Sequence, residues 1–138
     1  MTPPEGREGW EPCGSQEGFS ELAGPYMQRL EEGRRVRAFL AEARHSNPEG
    51  FVHGGALMSF ADFVCYRAAL DELGDGSLVP TVTLTVNFLA AARRGDLILG
   101  HGAVTRRTRS LVFTEARLEV AAEAVLTASG VYKIVKAA

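Results

Sequence analysis

Asp62 is the residue of this sequence whose position most strongly indicates a chemical role. It stands between Phe60-Ala61 and Phe63-Val64, inside an apolar run of helical character. An unpaired carboxylate is costly to bury, so an acid at this position needs hydrogen-bond partners or a cavity. Two interpretations stay open. Asp62 is either a structural carboxylate at a polar gap or subunit interface, or a nucleophile or base that acts on a substrate.

His53-Gly54-Gly55 directly precedes the same helical run, and Asp62 follows nine residues after the histidine. Two glycines let the backbone approach a ligand closely, and N–H groups at a helix N-terminus point toward an anion or a developing oxyanion. Gly-Gly before a helix also occurs as a simple tight turn. The combination with Asp62 favours a site over a turn alone.

Asn47 and Thr81 both have ordinary structural explanations. Asn47 lies six residues before His53 and next to Pro48, where an asparagine is typical of a turn. Thr81 begins a strand-like segment, where threonine is typical of β-structure. Neither residue indicates a function by itself.

The elements that must position these residues follow from hydrophobic periodicity. We predict a short helix at 19–23, strands at 26–31 and 35–44, a loop at 45–50, and a long buried helix over 51–70 with a stop at Gly74. Four further strands are predicted at 81–89, 96–106, 110–120 and 124–135, with short turns between the last three. An antiparallel sheet that covers a single apolar helix is an α+β fold, in which the sheet curves around the helix.

The set Asn47, His53-Gly54-Gly55 and Asp62, followed by a strand at 79–89, resembles the hotdog-fold acyl-CoA thioesterases of the phenylacetate-pathway type. The resemblance extends over residues 19–136. It implies one long helix wrapped by a curved antiparallel sheet. It also implies homodimers or homotetramers whose active sites lie between subunits.

The resemblance implies a role for each residue of that set. Asp62 would be the catalytic carboxylate, either as a nucleophile on the thioester or as a base for water. The backbone N–H of Gly54 or Gly55, from the neighbouring subunit, would polarise the thioester carbonyl. Asn47 and His53 would help to hold that oxygen or the attacking water.

Substrate contacts are implied for four more residues. Thr81 aligns with a serine or threonine that orients the water in some relatives, and Tyr66 would line the acyl pocket. Coenzyme A carries phosphates that need cations, and the two basic clusters near the proposed site, at 93–94 and 106–109, nominate Arg93 and Arg109. Each arginine is equally explained as a solvated turn residue. Coenzyme A is part of the substrate, so no separate cofactor is expected.

Composition and charge disfavour several other classes of protein. The 138 residues include 15 basic and 17 acidic side chains, a balance unlike that of a dedicated nucleic-acid binder. No stretch approaches the roughly 18 apolar residues of a membrane span. The distant cysteines Cys13 and Cys65 favour a reducing, cytoplasmic location over a disulfide framework. We expect a flexible leader over residues 1–18 and one domain over residues 19–138.

Other activities stay open at this point. The three histidines, His45, His53 and His101, lack the spacing of metal ligands, so no metal site is expected. A noncatalytic acyl-CoA-binding module would share the fold, because fold alone does not determine chemistry. A hotdog enoyl-CoA hydratase is a further alternative, although its short Asp and His motif is not found in this sequence. The costly buried Asp62 favours the thioesterase over the pure binder.

Overall fold

A single antiparallel sheet and one long helix make up most of the computed structural model, which describes residues 9–14 and 16–138. The strands are β1 (Glu11–Pro12), β2 (Met27–Glu31), β3 (Arg34–Leu40), β4 (Thr81–Phe88), β5 (Leu97–Arg107), β6 (Leu111–Val120) and β7 (Glu123–Lys133). The helices are α1 (Phe19–Ala23) and α2 (Gly54–Leu73), and Ala43–His45 form a single 3₁₀ turn.

The strand order in the described sheet is β1-β2-β3-β5-β6-β7-β4, with every neighbouring pair antiparallel. α2 packs against the concave side of this sheet, mainly against β5, β6 and β7. This arrangement confirms the predicted α+β class and the hotdog architecture, in which a curved sheet wraps one helix. In the described ranges, no helix has the length and apolarity that a membrane span requires.

Two predicted boundaries differ from the structure for local reasons. The strand predicted over residues 35–44 corresponds to β3 and ends at Leu40. It ends there because residues 43–45 turn back and the Glu42 N–H donates to His45 Nδ1. The long helix begins at Gly54 rather than at residue 51, because His53 is extended and caps it. The helix ends at Leu73, directly before the predicted stop at Gly74.

Two glycines on β5 bring the sheet into backbone contact with α2. A Cβ atom on Gly100 would overlap Val64 Cγ2, and one on Gly102 would lie 2.9 Å from the Val64 backbone oxygen. A side chain at Gly102 would therefore force α2 to move, and one at Gly100 would force the Val64 and Phe60 side chains to repack. Since Val64 lies two residues after Asp62, these contacts fix the height of the acid above the sheet.

The segment before α1 packs on the outer face of the sheet. β1 pairs with β2, and Trp10 joins Met27, Val36 and Ala38 in a second small apolar cluster, while Cys13 is buried in the main core. The prediction of a flexible leader over residues 1–18 is therefore wrong for residues 9–14. The polar composition of this segment did not indicate that the Trp10 and Cys13 side chains are buried. Residues 1–8 and 15 lie outside the described residues.

Arg37 crosses the core to the far end of α2. Its side chain is only 3% exposed, and its guanidinium donates to both oxygens of Asp71, Nη1 to Oδ2 at 2.6 Å and Nη2 to Oδ1 at 2.9 Å. The Asp71 side chain is 37% exposed and lines a polar cavity of about 560 Å³. Arg37 Nε is buried and finds no acceptor among the described residues. The pair is thus a buried cation held by a half-exposed acid.

Candidate active site around Asp62

α2 carries Asp62 on the side that faces β4 and β7. The Thr81 hydroxyl donates to Asp62 Oδ1 at 2.9 Å, and the Tyr132 hydroxyl donates to the same oxygen at 2.7 Å. No other hydrogen bond to the carboxylate is present in the described part of the chain. These two hydroxyls are the hydrogen-bond partners that a carboxylate at this position needs. Asp62 Oδ2 receives no hydrogen bond from the described residues.

Tyr132 is a site residue that the sequence analysis missed. It lies on β7, seventy residues after Asp62, and its hydroxyl is also 3.0 Å from the Asp62 backbone oxygen. The ring is fully buried. A buried tyrosine hydroxyl needs a partner, and this requirement was the one available signal. The sequence pattern predicts a strand over 124–135 but assigns no role to Tyr132.

A β-bulge turns Thr81 toward Asp62. The register shifts between Thr81 and Thr83, so that Thr81 pairs with Tyr132 and the intervening Val82 pairs with no residue. Strict alternation along β4 would have placed Val82 toward the helix and Thr81 toward the outside. The bulge reverses this order, leaves Val82 59% exposed, and aims the Thr81 hydroxyl at the carboxylate, as bulges beside functional sites often do.

A cavity of about 420 Å³ opens beside Asp62. Its wall is mostly apolar and aromatic, and consists of Phe19, Tyr26, Met58, Phe63, Tyr66 and Leu84, with Ser20, Ser59, Thr81 and Asp62 as its polar members. The rings of Tyr26 and Phe63 are 4.4 Å apart between centroids, and those of Phe63 and Tyr66 are 6.4 Å apart. Tyr66 therefore lines the cavity beside Asp62. The cavity can hold an apolar group next to a carboxylate.

Burial and the nearby acid keep three titratable groups around Asp62 protonated, namely Tyr26, Cys65 and Tyr132, because both effects raise the pKa of each. Burial raises the pKa of Tyr132 well above its usual range, and the hydrogen bond to Asp62 raises it further. Burial also raises the pKa of the Cys65 thiol, three residues after Asp62 on α2, to about 11. Tyr132 is thus a neutral donor at any ordinary pH, and Cys65 is a poor nucleophile.

His53 and the two glycines form the N-terminus of α2. The Gly55 N–H donates to His53 Nδ1 at 2.8 Å, so this N–H is already used inside the chain. The Gly54 N–H has no acceptor within residues 9–14 and 16–138. Of the two glycines nominated as carbonyl donors, Gly54 is therefore the one that the structure leaves available. Because His53 Nδ1 accepts, the imidazole proton lies on Nε2.

Asn47 shapes the loop that precedes α2. Its Oδ1 accepts the N–H groups of Glu49 and Phe51, both at 3.1 Å, which closes the turn at residues 47–51. The turn explanation of this asparagine is therefore correct for its carbonyl oxygen. Within the described residues its side-chain amide donates to nothing, so the Nδ2 group is available to a ligand.

The two nominated arginines lie at the surface. Arg93 pairs through its backbone with Phe51 and holds its guanidinium 4.7 Å from the centre of the Phe51 ring, close to the loop of Asn47. Arg109 lies in the exposed turn between β5 and β6, and no ion pair holds it to the described residues. Neither arginine lines the cavity beside Asp62.

The nominated residues thus form two groups within one protomer. Asp62, Thr81 and Tyr66 share the cavity. The second group lies at or near the N-terminus of α2 and consists of Asn47, His53, Gly54, Gly55 and Arg93. Asp62 follows Gly54 by eight positions along α2, or about 12 Å along the axis, which is too far for both to act on one carbonyl. In the described part of the chain, no group of three or more acidic, His or Cys side chains could hold a metal ion.

Comparisons with known proteins agree with this geometry. Residues 49–126 match the model of the Thioesterase superfamily. A Pseudomonas aeruginosa protein provisionally named an esterase is 32% identical over 92% of this chain and 96% of its own length. A phenylacetic acid degradation-related protein of Ralstonia eutropha, provisionally described as a thioesterase, is 25% identical with a TM-score of 0.74, covering 83% of this chain and 88% of that one.

A third comparison concerns the fold alone. A hypothetical thioesterase of Streptococcus pneumoniae, solved with coenzyme A, superposes with a TM-score of 0.69 at 18% identity, over 81% of this chain and 87% of that one. The family match spans more than half of the chain and includes both α2 and β4. This chain belongs to the Thioesterase superfamily and is a thioester hydrolase of the hotdog fold.

Proposed function

We propose that this protein hydrolyses an acyl-CoA or aryl-CoA thioester to the free acid and coenzyme A, with Asp62 as the catalytic carboxylate. The observation that carries the proposal is the anchored carboxylate itself. Asp62 borders an apolar cavity, two donors hold one of its oxygens, and the other oxygen receives no hydrogen bond from the residues that the structure describes. A poorly solvated carboxylate is a stronger nucleophile or base than one in water. The proposal needs no metal and no separate cofactor.

The chemistry proceeds by addition to the thioester carbonyl. In one route Asp62 attacks the carbonyl carbon, the C–S bond breaks to release the coenzyme A thiolate, and water then hydrolyses the resulting anhydride to the free acid and restores the Asp62 carboxylate. In the other route Asp62 takes a proton from the water that attacks the carbon, the C–S bond breaks, and the leaving thiolate receives that proton. Both routes place negative charge on the carbonyl oxygen, which a preorganised N–H donor stabilises. Gly54 is the proposed donor, because its N–H is free at the positive end of α2. Asn47 Nδ2 and His53 Nε2 are the proposed additional donors.

The site is proposed to form between two copies of the chain. β4 is an edge strand of the described sheet, and its apolar side chains Val82 and Phe88 are 59% and 52% exposed. An exposed apolar edge of this kind favours pairing with a second strand. The Thr81 end of β4 contacts Asp62, whereas the Phe88 ring at the other end lies 3.4 Å from the Cβ position of Gly54. Antiparallel pairing of two β4 strands therefore brings each Asp62 toward Gly54 of the partner subunit.

Coenzyme A is the proposed thiol carrier. Arg93 lies next to the Asn47 loop, and Arg109 lies in an exposed turn, so both are free to meet phosphates. The coenzyme A reported for the Streptococcus pneumoniae neighbour supports this choice of carrier. The two free, buried cysteines suit a reducing compartment, and we place the reaction in the cytoplasm.

The first test is release of free thiol from a panel of short, medium, long and aryl acyl-CoA esters. Asp62→Asn keeps the shape of the side chain and should reduce kcat by at least roughly 10³-fold, whereas Asp75→Asn, at the exposed end of α2, should leave it unchanged. Unchanged turnover in Asp62→Asn would remove Asp62 from the mechanism. Tight binding of one ester without turnover by the wild-type protein would identify a noncatalytic acyl-CoA-binding module instead.

The second test addresses the Gly54 N–H and the two-copy site together. Gly54→Pro deletes that N–H and adds a ring at the first helical position, where proline is well tolerated, whereas Gly54→Ala adds a Cβ and retains the N–H. The proline variant should lose roughly 10²- to 10³-fold in kcat, and the alanine variant should lose little. Mixed dimers of Gly54→Pro and Asp62→Asn subunits should regain one intact site. No recovery in the mixture would refute a site shared between copies.

The third test addresses the carrier. Arg109→Ala should raise KM for a coenzyme A ester much more than KM for a short thioester that lacks the nucleotide, because only the former carries the phosphates. Equal effects on both substrates would show that Arg109 does not bind phosphate.

A further inference from the structure

We propose that Tyr132 is the positioning residue of the active site, which fixes Asp62 through Oδ1 so that Oδ2 is the reacting oxygen. This inference rests on the proposed function and goes beyond it, because it assigns separate tasks to the two oxygens of one carboxylate. It arises from the hydrogen bonds that join α2 to β4 and β7.

The two Asp62 oxygens have different surroundings. Oδ1 accepts from the Tyr132 hydroxyl at 2.7 Å and from the Thr81 hydroxyl at 2.9 Å, whereas Oδ2 receives no hydrogen bond from the described residues. Two donors fill the preferred acceptor directions of Oδ1, so its lone pairs are poorly available for bond formation or proton transfer. The oxygen that can react is therefore Oδ2.

Tyr132 is the more rigid of the two donors. Its ring is fully buried, whereas Thr81 is exposed at the end of the bulged strand. The Tyr132 hydroxyl also lies 3.0 Å from the Asp62 backbone oxygen, so one group contacts both the side chain and the main chain of the same residue. This double contact restricts rotation of the Asp62 side chain about its own backbone. Burial raises the pKa of Tyr132, so the hydroxyl stays a donor throughout the working pH range.

The two proposed chemical routes need this restriction equally. A nucleophilic Oδ2 must approach the carbonyl carbon along one direction, and a basic Oδ2 must receive a proton from a water at hydrogen-bond distance. Free rotation would exchange the two oxygens and spread the reacting atom over many orientations. Tyr132 never contacts the substrate in this scheme and affects the reaction only through Asp62.

Tyr132→Phe is the principal test, since it removes a single oxygen atom and keeps the ring. We expect kcat for the best acyl-CoA substrate to fall roughly 10- to 100-fold, because misplacement of a reacting group by about 1 Å has an effect of that size. KM should change less than about twofold, since no substrate contact is lost. The matched control is Thr114→Val, which deletes another buried hydroxyl of the same sheet, bonded to the Gly130 backbone oxygen. The control should change kcat less than twofold.

A second variant displaces the hydroxyl without deleting it, in case Tyr132→Phe does not fold. An added Cβ at Gly130 would lie 3.0 Å from Tyr132 Cε2, so Gly130→Ala must shift the ring by a few tenths of an ångström. We expect a several-fold loss of kcat with unchanged KM. Thr81→Val combined with Tyr132→Phe should lose more than the product of the two single losses, because each single variant keeps one donor that still partly restrains Oδ1, whereas the double variant keeps neither.

The outcomes separate this inference from the proposed function. If Asp62→Asn is inactive while Tyr132→Phe and Gly130→Ala retain wild-type kcat, the assignment of Tyr132 is overturned and the thioesterase proposal stands. Equal losses in Tyr132→Phe and in Thr114→Val would mean that the effect is general loosening of the sheet, which also overturns it. Absence of turnover by the wild-type protein on the whole panel would refute both proposals.

Discussion

The buried ion pair between Arg37 and Asp71 leads to an asymmetric prediction about stability. Asp71→Ala leaves a guanidinium that is 3% exposed without a counterion, and its Nε already lacks an acceptor in the described structure. Stranding a buried charge costs about 3–5 kcal/mol. The polar cavity beside Asp71 admits water to one side of the guanidinium, so we expect the lower end, about 3 kcal/mol. Arg37→Met keeps the apolar stem of the side chain and leaves only Asp71 unpaired, which is 37% exposed. We therefore expect this variant to lose about 1 kcal/mol of unfolding free energy.

Urea unfolding at 25 °C, extrapolated linearly, measures both variants. For a chain of this size, a loss of about 3 kcal/mol corresponds to a Tm lower by roughly 10 °C. The double variant should cost less than the sum of the two single variants, because no charge is left stranded in it. The control is Glu31→Ala, which removes the ion-pair partner of Arg29; these two side chains are 37% and 38% exposed, so the loss should cost less than about 1 kcal/mol.

One result would refute this reasoning. If Arg37→Met destabilises the protein as much as Asp71→Ala does, the stranded cation is not the dominant cost, and the difference in burial does not determine the stability of the pair. Thiol release per folded molecule should stay at the wild-type level in both variants, because the pair lies at the opposite end of α2 from the proposed oxyanion donor.

Three further predictions use other parts of the molecule. Gly102→Ala should destabilise the protein by about 1–3 kcal/mol in urea unfolding, because the added Cβ overlaps the backbone of α2; a neutral result would show that the helix can move away. Phe19→Ala should extend the acyl length that is hydrolysed, whereas Leu22→Ala, on the same helix but outside the cavity, should not. Burial raises the thiol pKa of Cys13 and Cys65 from about 9 to about 11, so the unfolded chain releases these protons first and the unfolding free energy should fall between pH 9 and 11. Serine at both positions should flatten that fall, and an unchanged slope would contradict the assignment.

The fold could be predicted because its periodicities are regular. A nearly continuous apolar helix and alternating strands around it leave few arrangements that bury both. What escaped prediction was local and depended on distant contacts. The burial of Trp10 requires the outer face of β2 and β3, and that of Cys13 requires the main core; a polar, glycine-rich segment gives no periodic signal for either contact.

The site residue on α2 could be predicted from the sequence, whereas the residues of β4 and β7 that hold it in place were harder to predict. Asp62 could be singled out because an acid in an apolar helix needs partners, but Tyr132 lies seventy residues away and ordinary strand alternation does not name its acceptor. Thr81 was nominated by resemblance. Alternation alone would have turned Thr81 outward, and only the bulge at Val82, which strand periodicity cannot reveal, brings it to the carboxylate.

The position of β4 in the sheet has a consequence for synthesis of the chain. β4 leaves the ribosome early, yet its only neighbour in the described sheet is β7, and residues 89–122 separate the two. At about 5–20 residues per second, β4 waits roughly 2 to 9 seconds for its neighbour to be completed. During that interval Asp62 lacks its Tyr132 donor, and the strand that later forms the exposed edge has no pair on either side. The nascent protein is therefore most vulnerable to aggregation just before its last strand emerges, and chaperones that bind extended apolar segments would find their target in β4.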